Sequence, residues 1–244
     1  MKRKKLSPQE KEKLVSTLDK YQKQAFDMML NGGHVFISGE AGSGKSLLLT
    51  TFASYSDEKV LKTAPTGVAA LNIKGVTIHS VFGYGNLQYK TVNQICEEDF
   101  ILSHAKKHLL KNVKSIIIDE VSMLRSDVFE KMDAILKTLN KSKETFGGKQ
   151  IILIGDIFQL PPVVKNEEKE FIKQAYGGEF FYDAKAYKEG NFKFIELRDN
   201  HRQEKDQQFR TVLNNIRAGQ VSEADIAKLN SSILKNHAKL QGIL

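Results

Sequence analysis

The chain has 244 residues, of which 41% are hydrophobic and 27% charged, and it carries a formal net charge of +8. That length accommodates one large core or a domain with part of another. The positive charge favours an anionic partner. Nucleic acid is preferred over a membrane because no basic amphipathic helix with a long apolar face stands out. A single cysteine excludes an internal disulfide, and no apolar run approaches membrane-spanning length or a secretory signal, so we expect a soluble intracellular protein.

The first segment predicts a helical region. Ser7 and Pro8 supply a cap and a first-turn proline, and the helical pattern runs to Leu30 with a break near Asp19. Within it, the amide of Gln22 can donate to and accept from an adenine edge at the same time. Considered alone, a glutamine at this position is more often a surface residue.

A glycine-rich loop follows between a predicted strand and a predicted helix. Residues 39–46 match the pattern G-x-x-x-x-G-K-[ST] without a gap, and the apolar runs 34–38 and 47–53 flank it. In that setting backbone N–H groups and a helix N-terminus surround phosphate oxygens, Lys45 reaches the β- and γ-phosphates, and Ser46 ligates Mg²⁺. A merely flexible glycine loop is the alternative, and the flanking elements disfavour it. The phosphate-binding candidates are Gly39, Ala41, Gly42, Ser43, Gly44, Lys45 and Ser46.

The next two strand ends predict a shelf for single-stranded nucleic acid. Strand 60–64 runs into small and hydroxyl residues, and segment 76–83 brings an aromatic ring, an imidazole and hydroxyls together. Both suit the carboxyl edge of a parallel sheet and a strand with stacked bases. Without that context, His79 and Phe82 are more typical of core or capping residues. The candidate contacts here are Pro65, Thr66, Gly67, Val68, Thr77, His79, Ser80 and Phe82.

Residues 84–114 interrupt the alternation of strands and helices. Tyr84, Tyr89 and Phe100 alternate there with the lysines Lys90, Lys106, Lys107 and Lys111. We therefore predict an inserted segment with a basic, partly aromatic surface. A solvated excursion without a function is the alternative interpretation.

An aliphatic run at 115–118 predicts a buried strand that ends in two acids. We expect Asp119 to hold Mg²⁺ through water and Glu120 to polarise the attacking water as a general base. Two like charges at a buried strand end repel one another without a cation, so the metal interpretation is favoured over a structural one. An amphipathic helix over 126–139 follows.

A fourth aliphatic strand, at 150–156, precedes the loop that carries Gln159. At the tip of the strand beside the acidic one, a polar side chain can touch the γ-phosphate and whatever lies across the cleft, so Gln159 is the candidate sensor. Pro161 and Pro162 fix a rigid loop, which holds Phe158 and Gln159 in place.

Residues 192–197 predict the first strand of a second unit, and a helix is expected over 206–216. Arg202 lies between them. An arginine on a loop that faces the nucleotide stabilises the charge that develops on the γ-phosphate. A lone arginine is more often a surface ion-pair partner, but its place after the Gln159 loop favours the nucleotide role.

Six stretches in this order resemble the motifs of the Pif-type DNA helicases, the branch of helicase superfamily 1 that moves 5′ to 3′ and includes RecD. The stretches are residues 39–46, 63–70, 77–80, 118–123, 155–163 and 200–203. The resemblance runs from Gln22 to Gly219, and it implies an α/β fold of the P-loop, RecA-like type, with a parallel sheet flanked by helices. It divides the chain into a first lobe at 1–190, an inserted wedge-like subdomain at 84–114 and an incomplete second RecA-like lobe at 191–244.

The resemblance also implies a role for each candidate. It assigns adenine recognition to Gln22, ATP and Mg²⁺ to Lys45, Ser46, Asp119 and Glu120, γ-phosphate sensing to Gln159 and Arg202, and further contacts with single-stranded DNA to Phe158 and Pro161. His201 stands where the family usually carries an aromatic residue. We therefore expect an ATP-dependent 5′-to-3′ DNA helicase with ATP and Mg²⁺ as cofactors, acting as a monomer on single-stranded DNA and DNA forks.

Residues 221–244 match none of the later motifs of the family's second lobe. We therefore expect either a truncated product or a separate chain that supplies the rest, with nucleotide binding but weak turnover, since losing an arginine finger costs about 10³ to 10⁵ in rate. Two alternatives stay open: a nucleotide-switched binding module, which the two shelf segments disfavour, and a clamp-loader-like ATPase, in which residues 159–162 would have no role.

Overall fold

The structure is a computed structural model that describes residues 6–40, 42–83, 102–198, 211–212, 215–216 and 219–230. The chain divides into two compact units, Met1–Asp199 and Asn200–Leu244. Within the described ranges, no helix is both long enough and apolar enough to cross a bilayer.

The first unit alternates strands and helices. Its strands are β1 (Val35–Gly39), β2 (Val60–Ala64), β3 (Val76–Thr77), β4 (Ser115–Ile118), β5 (Gln150–Ile154) and β6 (Lys193–Leu197). Its helices are α1 (Pro8–Ser16), α2 (Lys20–Leu30), α3 (Lys45–Tyr55), α4 (Gly67–Asn72), α5 (Ile78–Phe82), α6 (His104–Asn112), α7 (Ser126–Asn140), α8 (Asn166–Tyr176) and α9 (Lys185–Glu189). Short 3₁₀ turns cover Val121–Met123, Thr145–Gly148 and Phe181–Asp183.

The helix start predicted at Ser7 and the break predicted near Asp19 are both confirmed. The Ser7 side chain accepts the N–H of Glu10 at 3.2 Å, and the Asp19 side chain accepts the N–H of Gln22 at 2.8 Å. Ser7 with Glu10 and Asp19 with Gln22 each form a reciprocal capping box at a helix start. The helical pattern up to Leu30 is therefore divided into two helices.

The strands form one parallel sheet in the order β3-β2-β4-β5-β1-β6, which confirms the predicted α/β fold. Helices cover both faces, so the central strands are aliphatic without alternation. Ile116 and Ile118 of β4 point into the core that contains Phe129, whereas Ile117 points into the core that contains Leu48. The carboxyl ends of the strands meet at one edge of the sheet, where the motif loops begin.

The prediction that residues 192–197 open a second unit is wrong. β6 pairs with β1 over five residues, from Val35 with Lys193 to Gly39 with Leu197. Phe192 stacks on His34 with ring centroids 4.9 Å apart, which fixes the strand to the first unit. The division of the chain falls after this strand.

The last part of the predicted insertion, residues 104–112, forms helix α6, which packs into the core of the first unit. Helix α6 buries Leu110 completely, in the same core as Phe129 of α7. Residues 84–101 of that insertion lie outside the described residues. In the second unit, residues 223–230 are helical, and Asp225 accepts hydrogen bonds from Asn215 at 3.0 Å and from the Ser222 hydroxyl at 2.7 Å.

Candidate functional site

The glycine-rich loop turns tightly between β1 and α3. Gly42 and Gly44 have φ angles of 92° and 79°, a region that glycine enters without steric cost. At Gly39 a side chain would place its Cβ 2.6 Å from the Ser43 hydroxyl oxygen, so this position also needs glycine. The loop therefore brings the chain directly from the strand end to the N-terminus of an 11-residue helix that begins at Lys45.

Polar groups of the loop converge on that helix N-terminus. The Lys45 ammonium donates to the carbonyls of Gly39 at 2.6 Å and Glu40 at 2.8 Å. The Ser43 hydroxyl is buried and has no hydrogen-bond partner in the described part of the chain, and Ser46 is exposed. Backbone N–H groups, the helix dipole and an ammonium in one place form an anion site. Ala41 lies outside the described residues.

The two predicted acids follow β4 at the same edge. Asp119 is 8% exposed, and its carboxylate accepts the N–H of Glu120 at 3.0 Å. Burial raises the pKa of Asp119 to about 6, with Glu120 adding to the increase and the hydrogen bond and Lys45 opposing it. Glu120 itself has a φ of 51°, a left-handed conformation that is unusual outside glycine and is often found at functional sites.

These residues suit a magnesium ion bound together with a nucleotide. Nucleotide-site Mg²⁺ is held by one or two carboxylates plus phosphates and water rather than by a full protein cage. No group of three His, Cys, Asp or Glu side chains converges among the residues that the structure describes. The buried Asp119 carboxylate, which forms no ion pair in the same part of the chain, is the ligand that such a cation would stabilise.

The loop after β5 packs against the acidic turn. At Gly155 an added Cβ would lie 2.8 Å from the backbone nitrogen of Val121, so glycine allows this close approach. The buried Asp156 carboxylate then accepts the N–H of Phe158 at 3.1 Å, and its carbonyl accepts the N–H of Gln159 at 3.0 Å. Sequence reasoning missed Asp156 as the residue that anchors this loop, although an aspartate bonding two residues ahead is a known turn former.

The anchored loop presents its side chains to solvent. Phe158 is 62% exposed, and Gln159 and Pro161 are exposed as well, while Pro162 is buried. Three further apolar side chains of the loop are exposed, namely Ile157, Leu160 and Val163. A loop that is fixed by hydrogen bonds and exposes several apolar side chains is typical of a binding surface.

Gln22 lies beside the phosphate loop, and its side-chain amide forms hydrogen bonds with the protein backbone. Its Nε2 donates to the carbonyl of Ser43 at 3.3 Å, and its Oε1 accepts the N–H of Asp19 at 3.1 Å. The residue is 1% exposed. In this structure the side chain joins α2 to the phosphate loop, and adenine recognition by Gln22 stays a prediction.

The predicted shelf consists of two helix N-termini on neighbouring strands. Thr66 and Thr77 cap α4 and α5, because their hydroxyls accept the backbone N–H groups of Ala69 at 3.2 Å and Ser80 at 3.1 Å. Ala64 of β2 pairs with Thr77, so the two caps are adjacent. The exposed shelf residues are Gly67, Val68, His79 and Ser80, and Pro65 is half-buried.

Phe82 corrects the sequence analysis. Its ring is 1% exposed and packs in the core with Leu110, so it is not available to stack on a base. The motif pattern placed this aromatic residue among nucleic-acid contacts, whereas the turn of α5 directs it inward.

A buried ionic cluster lies beneath this edge and escaped the sequence analysis. Arg125 donates to both carboxylate oxygens of Asp127 at 2.9 and 3.1 Å and to Glu168 at 3.0 Å. Lys131, which is 2% exposed, lies 3.4 Å from Asp127. Nearby, the Tyr176 hydroxyl is buried without a hydrogen-bond partner among the described residues, and burial raises its pKa to about 12.

The cluster joins the start of α7 to α8, which follows the Gln159 loop. Nothing in the local sequence indicates this, since Glu168 lies 43 residues from Arg125. The predicted γ-phosphate arginine, Arg202, lies outside the described residues together with the rest of its motif, 200–203.

Comparison with known proteins gives consistent results. The family model described as "PIF1-like helicase" matches residues 17–227. The chain is 35% identical over 226 residues to the ATP-dependent DNA helicase PIF1 of Saccharomyces cerevisiae, a match that covers 87% of this chain and 24% of that protein. It is 35% identical over 231 residues to the ATP-dependent DNA helicase PIF1 of Danio rerio, covering 93% of this chain and 34% of that protein.

Solved structures give the same result. The Bacteroides Pif1 helicase in complex with ADP-AlF3 and ssDNA matches with a TM-score of 0.79 and 36% identity, over 86% of this chain and 48% of that one. A structure described as two coordinating Pif1 helicases at forked dsDNA matches with a TM-score of 0.80 and 36% identity, over 87% of this chain and 51% of that one. The chain thus spans about half the length of these solved chains and 24% and 34% of the two curated relatives.

Proposed function

The chain belongs to the PIF1-like helicase family, and on that basis we propose that it is the motor of an ATP-dependent DNA helicase. The observation that carries the proposal is the meeting of three loops at one sheet edge: the Gly39–Ser46 loop, the Asp119–Glu120 turn and the loop anchored by Asp156. The first two form a nucleotide site. The third joins that site to an exposed surface suited to DNA.

In the proposed mechanism the phosphate loop binds the triphosphate. Backbone N–H groups at the start of α3 bind phosphate oxygens, and the Lys45 ammonium leaves its carbonyl partners for the β- and γ-phosphates. Asp119 and Ser46 would hold Mg²⁺. When bound, this ion would neutralise the negative charge of the phosphates. Glu120 orients the attacking water and accepts its proton.

Gln159 is proposed to sense the γ-phosphate from the neighbouring loop. Gly155 packs against the backbone of the Asp119–Glu120 turn, and Asp156 holds both Phe158 and Gln159 through backbone hydrogen bonds. A displacement at the nucleotide therefore reaches Phe158 through a short, rigid connection. Arg202 and Gln22 keep their predicted roles, at the γ-phosphate and the adenine edge, as part of this proposal.

Single-stranded DNA is the proposed track. The exposed Phe158 ring offers a stacking surface worth about 1–3 kcal/mol per base, and the shelf offers the N-termini of α4 and α5 with the exposed His79 and Ser80. Support comes from the Bacteroides Pif1 structures, which are described as bound to ssDNA. Forked DNA is the proposed substrate for unwinding, and the 5′-to-3′ direction follows from the family resemblance.

The test is ATP-dependent strand separation on duplexes with either a 5′ or a 3′ single-stranded tail. We expect separation of the 5′-tailed duplex and little of the 3′-tailed one. Strand separation that prefers the 3′ tail, or that proceeds without ATP, would contradict the proposal. A first-order dependence of the rate on protein concentration is expected for the proposed monomer, whereas a second-order dependence would indicate two coordinating molecules.

A further inference from the structure

A cavity of about 660 Å³ lies at the edge of the sheet opposite the phosphate loop. Residues at the amino ends of three strands line it, including His34, Ser115 and Gln150. The span of β1 from Val35 to Gly39 separates the two edges by roughly 13 Å, at about 3.3 Å per residue. Small-molecule sites typically occupy about 300–1,000 Å³, so this cavity is large enough for a ligand and is distinct from the nucleotide site.

Lys149 places a buried positive charge in the wall of this cavity. It is 7% exposed, and its ammonium donates to the carbonyls of Lys111 at 3.1 Å and Val113 at 2.9 Å. No carboxylate forms an ion pair with it in the described part of the chain. Both carbonyls lie at the C-terminus of α6, where the helix dipole favours a cation. Two of the three N–H donors of Lys149 are therefore used, and within the same described ranges the third donor has no partner.

A second lysine reinforces this charge. Lys114 lines the same cavity and is exposed. Burial, and then the charge of Lys114, lower the pKa of Lys149. Two ammonium groups that repel one another at a cavity wall are both stabilised when an anion binds between them.

His34 adds a donor of fixed orientation. Its Nδ1 accepts the N–H of Ile151 at 3.1 Å, so the neutral ring carries its proton on Nε2. The ring stacks on Phe192 at 4.9 Å and meets the edge of Phe146 at 5.2 Å, which restricts its rotation. Among the residues that the structure describes, Nε2 has no hydrogen-bond partner.

Acidic residues in the same wall limit which anion fits. Asp57, Glu58 and Glu144 line the cavity, and of these Asp57 is paired with Lys11 at 2.8 Å. Their charges repel a nucleic acid strand, whereas a small molecule with one anionic group and a polar or cationic remainder is accepted. We propose that this cavity is a second ligand site, which binds the phosphate or carboxylate group of a small polar molecule through Lys149, Lys114 and His34.

The test is a titration of the full chain carrying Lys45→Ala, which weakens phosphate binding at the opposite edge. Inorganic phosphate and acetate are added in separate experiments, and the ring resonances of His34 are followed by NMR. We expect the His34 ring resonances to shift saturably with at least one probe, with a dissociation constant on the order of 1 mM, as for a fragment-sized ligand. Saturation by phosphate identifies a phosphate-bearing class, and saturation by acetate identifies a carboxylate-bearing class.

Lysine variants in the same background give the matched comparison. Lys114→Met removes an exposed charge at the cavity wall, and we expect about tenfold weaker binding. Lys149→Met should weaken it further, and its unfolding curve shows whether the fold survives the loss of two hydrogen bonds. Lys173→Met, on the exposed face of α8, should change nothing. No saturable movement of His34 with either probe, or equal weakening by Lys173→Met, would overturn the proposal.

Discussion

Two buried carboxylates in one stretch of chain differ in what neutralises them. Asp127 contacts Arg125 at 2.9 and 3.1 Å and Lys131 at 3.4 Å. Among the described residues, Asp119 accepts only the backbone N–H of Glu120, and burial raises its pKa to about 6. Removing the cations from a paired buried acid is strongly destabilising, whereas a buried acid left with a single backbone donor favours a bound cation. The first region is structural, and the second is proposed to be functional.

The strongest effect is expected on the structural side of this comparison. Arg125→Met leaves Asp127 and Glu168 buried without their main partner, and removing one member of a buried ion pair costs about 3–5 kcal/mol. Denaturant unfolding measures the loss. Lys185→Met is the control, because Lys185 and Glu189 form an exposed pair at 3.5 Å that contributes about 0–1 kcal/mol. Similar values for both variants would remove the basis of the comparison.

Replacing each acid by its amide tests the comparison directly. Asp119→Asn removes a buried charge that forms no ion pair among the described residues, so we expect the free energy of unfolding to rise by about 0.5–2 kcal/mol at neutral pH without Mg²⁺. Asp127→Asn removes the partner of Arg125 and Lys131, so we expect the free energy of unfolding to fall by about 1–3 kcal/mol. Changes of opposite sign would support the distinction between the two acids, and changes of equal sign would contradict it.

A contrast in exposure also separates two aromatic rings. Phe158 is 62% exposed and Phe82 is 1% exposed. Phe158→Ala is expected to weaken binding of single-stranded DNA by about 1–3 kcal/mol, the value of one stacked base. Phe82→Leu is expected to leave DNA binding unchanged while lowering the free energy of unfolding, because the smaller side chain leaves a cavity in the core. Equal loss of DNA affinity in both variants would restore Phe82 as a contact.

The weakest effect is expected at His79, beside the ionic cluster. Although His79 is exposed, partial burial of its ring lowers its pKa, the charges of Arg125 and Lys131 add to this decrease, and Asp127 opposes it. His79 of the unfolded chain then binds its proton at higher pH than His79 of the folded chain. The free energy of unfolding is therefore not reduced by His79 above the ordinary histidine pKa of 6.5, and it declines as the pH falls below that value. Unfolding from pH 8 to pH 5 should show a steeper decline in the chain than in His79→Gln. Identical profiles would show that His79 titrates alike in both states.

The sequence predicts best where the needed residues are contiguous. The loop at 39–46 and the acids Asp119 and Glu120 follow strands whose aliphatic runs are unambiguous, so local order alone brings them to one edge. The fold class, the capping boxes and the central strands follow for the same reason.

What the sequence could not provide depends on distant partners. The unit to which residues 193–197 belong is decided by pairing with β1, and the inward direction of Phe82 is decided by the core around Leu110. Arg125 is indistinguishable from a surface arginine until Glu168 is brought to it. Packing across such separations is absent from any local pattern.

The proposed DNA motor is best tested by ATP hydrolysis measured with and without single-stranded DNA, beside Lys45→Ala and the matched control Lys173→Ala. We predict hydrolysis that DNA stimulates, that falls by about 10²–10³ in Lys45→Ala and that persists in Lys173→Ala. Hydrolysis that ignores DNA, or that survives in Lys45→Ala, would contradict the proposal that the Gly39–Ser46 loop drives a DNA motor.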